Sequence, residues 1–273
     1  MAYKRILTVQ DISCLGQCSM SVALPVLSAC GHETCILPSK LLSTHTGGFG
    51  TPAVQDLSAG MEEILLHWRS QGITFDAVYT GYLGSVAAIR VVGKILDTML
   101  APGAVFIADP AMADHGKLYA GLDETYAQEM LRLCSRADVV IPNLTEAAMM
   151  ADVPYPKNPK EIAAVLDCLD GKTVVLTGVG NSPEETGVAI RTNEGITKFS
   201  HKRIDKNYHG TGDLFAACFT GVWLRGLPLE EAASMAAELT CRCVEKTYND
   251  PGNWYGIRFE SVLPELIRRL AGN

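Results

Sequence analysis

The chain has 273 residues, 48% of them hydrophobic and 19% charged, with a formal net charge of −7. That suits one large α/β domain spanning residues 1–273, with enough chain to bury a substantial core. An acidic chain without a Lys/Arg cluster makes a poor ligand for nucleic acid or anionic membrane, so an anionic substrate would need backbone amides or a metal ion to hold it.

Taken in chain order, residues 6–9 read as a strand followed by a polar turn, and residues 19–29 as a helix ended by Gly31. A strand is expected at 34–37, and helical periodicity runs over 55–70 until Gly72. Residues 77–80 are strand-like, and 86–100 helical with Ser85 as N-cap. A strand at 105–108, a helix at 124–133 and strands at 139–141 and 173–177 follow. Residues 188–191 and 196–199 read as a hairpin, and helices at 214–225, 229–246 and 259–270 complete the pattern. Strands alternating with helices argue for a mostly parallel sheet covered on both faces, made mixed by the hairpin.

The 9 cysteines are an odd number without a Cys-x-x-Cys pair. Cys14 with Cys18, and Cys241 with Cys243, lack structural-zinc spacing, so reduced thiols in a cytosolic protein are the simpler reading. The opening MAYKRILTVQ is too short and polar for a signal peptide, and no apolar stretch reaches membrane-spanning length.

Ligands of such sheets bind at the carboxyl ends of the strands. Those ends carry Asp11, then Gly81-Tyr82, then Asp109 and Asp114, then Asn143 and Glu146, then Thr177-Gly178. Each has a local reading too: Asp11 as a helix cap, Asn143 with Glu146 as a capping box. Together, Asp109, Asp114 and Glu146 crowd one edge, and like charges repel unless a cation lies between them. Mg²⁺ typically takes one or two carboxylates plus phosphates and water. That points to a Mg²⁺–nucleotide site, although neither a G-x-x-x-x-G-K-[ST] loop nor a dinucleotide fingerprint is present. In GTGDLFAACF, Gly210 and Gly212 let successive amides face one point beside a helix N-terminus, an anion hole made without basic side chains. Asp213 beside it can accept the proton of an attacking hydroxyl.

Gly-Thr-Gly-Asp before an Ala-rich helix resembles the signature of the ribokinase-like superfamily. VQDISCLGQCS, LSTHTGGFG, TGYLGS, ADPAMADHGKLY, PNLTEA and GTGDLFAACF are similar, in order and spacing, to the pyridoxal kinase family. The resemblance implies a three-layer α/β/α sandwich and ATP-dependent phosphorylation of the 5′-hydroxyl of pyridoxal, pyridoxine or pyridoxamine. It implies Asp213 as base and Gly210, Thr211 and Gly212 as anion hole. Asp109, Asp114, Tyr119, Asn143, Glu146 and Thr177 would serve Mg–ATP, with Asp109 and Glu146 at the metal. Asp11, Cys18, His45, Thr46 and Tyr82 would line the vitamer site. A cytoplasmic homodimer helped by a monovalent cation such as K⁺ is also implied. The chain departs from the family in reading Asp11 where many members have Ser, and Ala111 and Ala113 where they have Val and Gly. Two other readings stand beside it: a hydroxymethylpyrimidine kinase of the same fold, and a non-catalytic vitamin-binding relative, which would not need Asp213.

Overall fold

The computed structural model describes residues 3–272 apart from 170, 181, 183, 205, 207 and 251. Strands β1 (Arg5–Ser13), β2 (Glu33–Leu42), β3 (Val54–Asp56), β4 (Phe75–Thr80) and β5 (Leu100–Ala108) come first. A small separate hairpin, β6 (Ala113–Asp114) and β7 (Lys117–Leu118), follows. Then come β8 (Val139–Val140), β9 (Thr173–Thr177), β10 (Glu185–Thr192) and β11 (Gly195–Lys202). Nine of them form one sheet in the order β11-β10-β9-β8-β5-β4-β1-β2-β3. The centre is parallel; β3 pairs antiparallel with β2 at one edge, and near the other β10 pairs antiparallel with both β9 and β11.

Central strands alternate between two apolar cores. Leu7 and Val9 of β1, Val78 of β4 and Leu176 of β9 face one; Ile6, Ala77, Tyr79 and Val175 face the other. A sheet apolar on both sides must be covered on both. Helices α1 (Met20–Ala29), α2 (Ser58–Ser70), α3 (Val86–Thr98), α4 (Glu124–Cys134), α5 (Leu144–Met150), α6 (Pro159–Cys168), α7 (Thr211–Leu224), α8 (Leu229–Tyr248) and α9 (Leu263–Ala271) do this. Residues of α2 to α6 pack into the first core, and those of α1, α7, α8 and α9 into the second. In α3 the buried Ala88, Ile89, Val91, Val92, Ile95 and Leu96 recur at helical spacing. Helix α7 is buried along its whole run from Leu214 to Val222, so it is a core element with only its first turn open. The three-layer α/β/α sandwich expected from the sequence is the observed architecture.

Several boundaries differ. The polar segment after residue 9 stays extended, because Ile12 and Ser13 pair with β2 and the Asp11 amide donates to the Tyr82 carbonyl at 3.0 Å. Asp11 is therefore a strand residue, and its reading as a helix cap is wrong; Ser19 takes the N-cap of α1. Residues 54–56 pair antiparallel with β2 instead of starting a helix. The side chain of Asp56 accepts from the Ser58 amide at 2.9 Å and begins α2 there. Helix α6 was absent from the sequence reading, although Asn158 caps it through the amides of Lys160 and Glu161. Ser85 caps α3 as expected, accepting from the Ala88 amide at 3.1 Å.

Candidate active site

The turn into α7 comes first. Gly210 has φ 87°, and a Cβ there would lie 1.7 Å from the Gln17 carbonyl oxygen. Only glycine meets both demands. Gly212 is different: it sits in the helix, is exposed, and a Cβ on it would meet nothing within 4 Å. The expectation that both glycines shape the turn thus holds for Gly210 and fails for Gly212, above which there is open space. Thr211 turns its hydroxyl back to the Tyr208 carbonyl at 2.9 Å. The first amides of a helix have no intrahelical acceptor and sit at the positive end of the dipole. Asp213 stands half-buried in this first turn. Burial pushes its carboxyl up to about 6, with the charge of Asp11 adding to the rise and the Ser19 amide opposing it.

A second group of acids faces it from the ends of β5 and β8. Asp109 follows β5 and is half-buried, its Oδ1 accepting from the Ala111 amide at 3.1 Å. Its pKa lies well above the carboxylate range, through burial first and then the charges of Glu146 and Asp213. Glu146 is 1% exposed. Its Oε1 accepts from the amides of Met112 at 2.8 Å and Ala113 at 3.3 Å, its Oε2 from the Asn143 amide at 2.9 Å. Burial nevertheless lifts it to about 7. Asn143 completes the capping box of α5 and donates its Nδ2 to the Ala113 carbonyl at 2.7 Å. Both side chains are therefore committed to tying the 111–113 loop to α5. Asp114 is exposed, and Tyr119, 39% exposed, has its pKa raised by burial and by the surrounding acids. Thr177, half-buried at the end of β9, takes its amide to the Pro142 carbonyl at 2.9 Å.

The third group lies at the end of β1. Asp11 is buried, accepts from the Ser13 hydroxyl at 3.3 Å, and has its pKa raised by burial against the pull of Ser19, Ser13 and Lys40. Cys18 lies 3.6 Å from the Ser13 hydroxyl, and burial beside Asp213 and Asp11 pushes its thiol up to about 12. Tyr82 is half-buried, its pKa raised by burial and by Asp11. His45 is buried in the loop between β2 and β3, with Thr46 exposed next to it. The Gly47 amide donates to His45 Nδ1 at 3.0 Å, so Nε2 carries the hydrogen that reaches the Tyr255 carbonyl. His45 packs on His209 and Phe49, and Phe49 on Trp254 and Tyr255. This aromatic set pins the 43–53 loop to the segment after α8.

The arrangement is a helix N-terminus with the half-buried carboxylate of Asp213 in its first turn, an acid cluster on one side and, on the other, the polar end of β1 beside the aromatic set of the 43–53 loop. Comparison with known proteins identifies its family. A family model described as phosphomethylpyrimidine kinase matches residues 49–256. A pyridoxal kinase of Rubrobacter xylanophilus is 30% identical over 89% of this chain and 87% of its own length. The crystal structure of pyridoxal kinase from Lactobacillus plantarum is 33% identical, with a TM-score of 0.91 over 100% of this chain and 99% of the other. The chain belongs to the pyridoxal kinase family. A Bacteroides thetaiotaomicron protein named for phosphomethylpyrimidine kinase and solved with pyridoxal is also 33% identical, covering 97% and 96% with a TM-score of 0.90.

For this member of the family, the sequence singled out residues that the fold brings to one edge of the sheet. Tyr119 feels the charges of Glu146, Asp114, Asp109 and Asp213, and Cys18 those of Asp213 and Asp11. Sequence reasoning passed over Ser19, Gln17, His209, Trp254 and Tyr255. His209 adjoins the glycine motif, so its place there was open to reading. Nothing in the sequence linked Trp254 and Tyr255 to a loop some two hundred residues earlier.

Proposed function

We infer that this protein is an ATP-dependent kinase that phosphorylates the 5′-hydroxyl of pyridoxal, pyridoxine or pyridoxamine, residues 1–273 acting as one kinase unit. The observation that carries the reading is Asp213 in the first turn of α7, with open space over Gly212 beside it. A phosphoryl group in that space would meet the free amides of the helix start. Asp213 would accept the proton of the attacking hydroxyl; with its pKa lifted to about 6 it is ionised at neutral pH yet a better base than an ordinary carboxylate.

A divalent cation fits the acid cluster. Asp109 is half-buried among like charges and has one carboxylate oxygen beyond the one that holds Ala111. Among the described residues no group of three or more His, Cys, Asp and Glu is arranged to hold a metal alone. Mg²⁺ does not require one, since nucleotide phosphates and water complete its shell. We assign Asp109 as the group that would hold Mg²⁺, with Glu146 acting through water or by fixing the 111–113 loop. Bound there, the ion would neutralise charge on the phosphates. Asp114, Tyr119, Asn143 and Thr177 lie on the nucleotide side of this reading, with a monovalent cation such as K⁺ as a further aid. Asp11, Cys18, His45, Thr46 and Tyr82 are on the vitamer side. A cytoplasmic homodimer is part of the same proposal; among the described residues no helix is long and apolar enough to cross a membrane.

Hydroxymethylpyrimidine, also a small heterocycle with a hydroxymethyl group, is the second reading, supported by the description of the matching family model. Product formation from ATP with pyridoxal, pyridoxamine, pyridoxine and hydroxymethylpyrimidine decides between them. Turnover of hydroxymethylpyrimidine alone would replace the first reading by the second, and no turnover of any would leave a binding protein.

A further inference from the structure

The loop between β2 and β3 carries Gly47, Gly48 and Gly50 in the run HTGGFG. Gly48 and Gly50 have φ 83° and 77°, so their backbone alone asks for glycine. Gly47 lies outside the left-handed region, so its backbone does not. What bars a side chain there is the ring of His209. A Cβ on Gly47 would lie 1.8 Å from its Nε2, 2.3 Å from Cε1 and 2.4 Å from Cδ2, where atoms in good contact stay about 3.5–4.0 Å apart. The imidazole is seated directly on the Gly47 backbone.

His209 is placed to transmit the position of that loop. It immediately precedes Gly210, the left-handed N-cap of α7, and its carbonyl accepts from the Ile257 amide at 3.1 Å. Its ring also packs on that of His45, the centroids 4.7 Å apart. His45 is seated in the same manner on Gly16, where a Cβ would lie 2.3 Å from Cδ2. The two imidazoles therefore join the turn after β1, the 43–53 loop and the start of α7. Among the described residues the His209 ring makes no hydrogen bond, so packing is what it contributes to the joint. Thr46, exposed between His45 and Gly47, rides on the loop that the ring holds.

We propose that His209 is a positioning residue: its ring, seated on Gly47, fixes the loop carrying His45 and Thr46 relative to the first turn of α7, which carries Asp213. Gly47 is glycine in order to admit it. The inference rests on the kinase reading above, in which the loop serves the vitamer and the helix start serves the phosphoryl group. Two reacting groups must be held at a set separation, and this contact ties the side that would hold one to the side that would hold the other.

The test is a double-mutant cycle of His209→Ala and Gly47→Ala, with His209→Phe as the variant that keeps a ring and loses the nitrogens. Melting temperature, kcat/KM for pyridoxal and KM for ATP are measured on each. Gly47→Ala forces ring and loop apart, so it undoes the seat as His209→Ala does. Each single variant should lose about tenfold or more in kcat/KM for pyridoxal, since a misplacement of about 1 Å can cost 10²-fold. The ATP KM should not move. The double variant should be no worse than either single one, in kcat/KM and in melting temperature, because its second change removes a contact already lost. His209→Phe should stay close to wild type. Losses that multiply in the double variant overturn the seat. A His209→Phe as impaired as His209→Ala shows the ring nitrogens acting directly and overturns positioning by packing. If the wild type turns over no vitamer, it is the kinase reading that has failed; an active wild type with an unmoved His209→Ala refutes the role of His209 alone.

Discussion

Glu146→Gln changes one atom in a buried junction, and the structure sets its cost. The carboxylate accepts three amides, Met112 and Ala113 on Oε1 and Asn143 on Oε2. A glutamine carbonyl can keep the first two, and its NH₂ then faces the Asn143 amide, donor against donor. Turned over, it serves Asn143 and leaves Met112 and Ala113 without an acceptor. Either way at least one buried N–H is orphaned, at about 1–3 kcal/mol, and in the turned-over case two are. The total is about 2–4 kcal/mol, and at about 2–4 °C per kcal/mol for a chain near this size the melting temperature should fall by roughly 5–10 °C. Thermal melts near neutral pH measure it. Burial raises the folded pKa to about 7 from an ordinary 4.5, so an ionised Glu146 costs stability. The wild-type margin is therefore fullest below 4.5 and shrinks as pH rises through about 7, and melts on both sides of neutrality should show the gap closing upward. Initial rates against Mg²⁺ complete the assay, the variant needing more Mg²⁺ for half-maximal rate. A melting temperature within about 1 °C of wild type refutes the junction, since three amides cannot lose their acceptor without cost.

Asp213→Asn should retain ATP binding and lose about 10²–10⁴-fold in kcat, the usual worth of a general base; near-wild-type turnover removes the assignment. In the wild type, kcat/KM should fall as pH drops through about 6, where Asp213 takes up its proton; a flat acid limb there contradicts it. Gly212→Val should melt within a few degrees of wild type, because nothing lies within 4 Å of its Cβ, yet transfer nothing, whereas Gly210→Ala should fail to fold for want of space beside Gln17; an active Gly212→Val shows that the open space is not the phosphoryl position. Asp11→Ser should raise pyridoxal KM by about tenfold, leave ATP KM unmoved, and lose that effect at high pH, where the ring nitrogen is deprotonated; an equal rise for both substrates points to a structural role.

The layer order and most elements were legible because apolar alternation in strands and helical spacing in residues such as Ala88 to Leu96 are strong local signals. Local geometry was legible where one short motif carries it, as in the left-handed turn at Gly210 and the acid in the first helical turn at Asp213. It was misleading where one residue type serves two ends. Gly212 looked like Gly210 and has ordinary helical geometry. Asp11 also admitted a cap reading and is a strand residue, because the pairing of its neighbours Ile12 and Ser13 with Leu41 and Leu42 is non-local. Asn143 and Glu146 carry both the capping box read from their spacing and the hold on residues 111–113, which spacing cannot show.

The pinning of the 43–53 loop has a consequence for the order in which the protein is made. The His45 imidazole finds its acceptor on Tyr255, 210 residues later, and Gln17, whose carbonyl crowds Gly210, bridges to Gly256. On the ribosome the β1 recess and the loop over it emerge early and wait for almost the whole of the remaining chain. A nascent protein can therefore build the sheet and its first core while the roof of the recess is still missing. On the proposed placing of the vitamer beside Asp11, His45 and Thr46, the ability to hold it should arrive late in synthesis, when residues 253–257 dock.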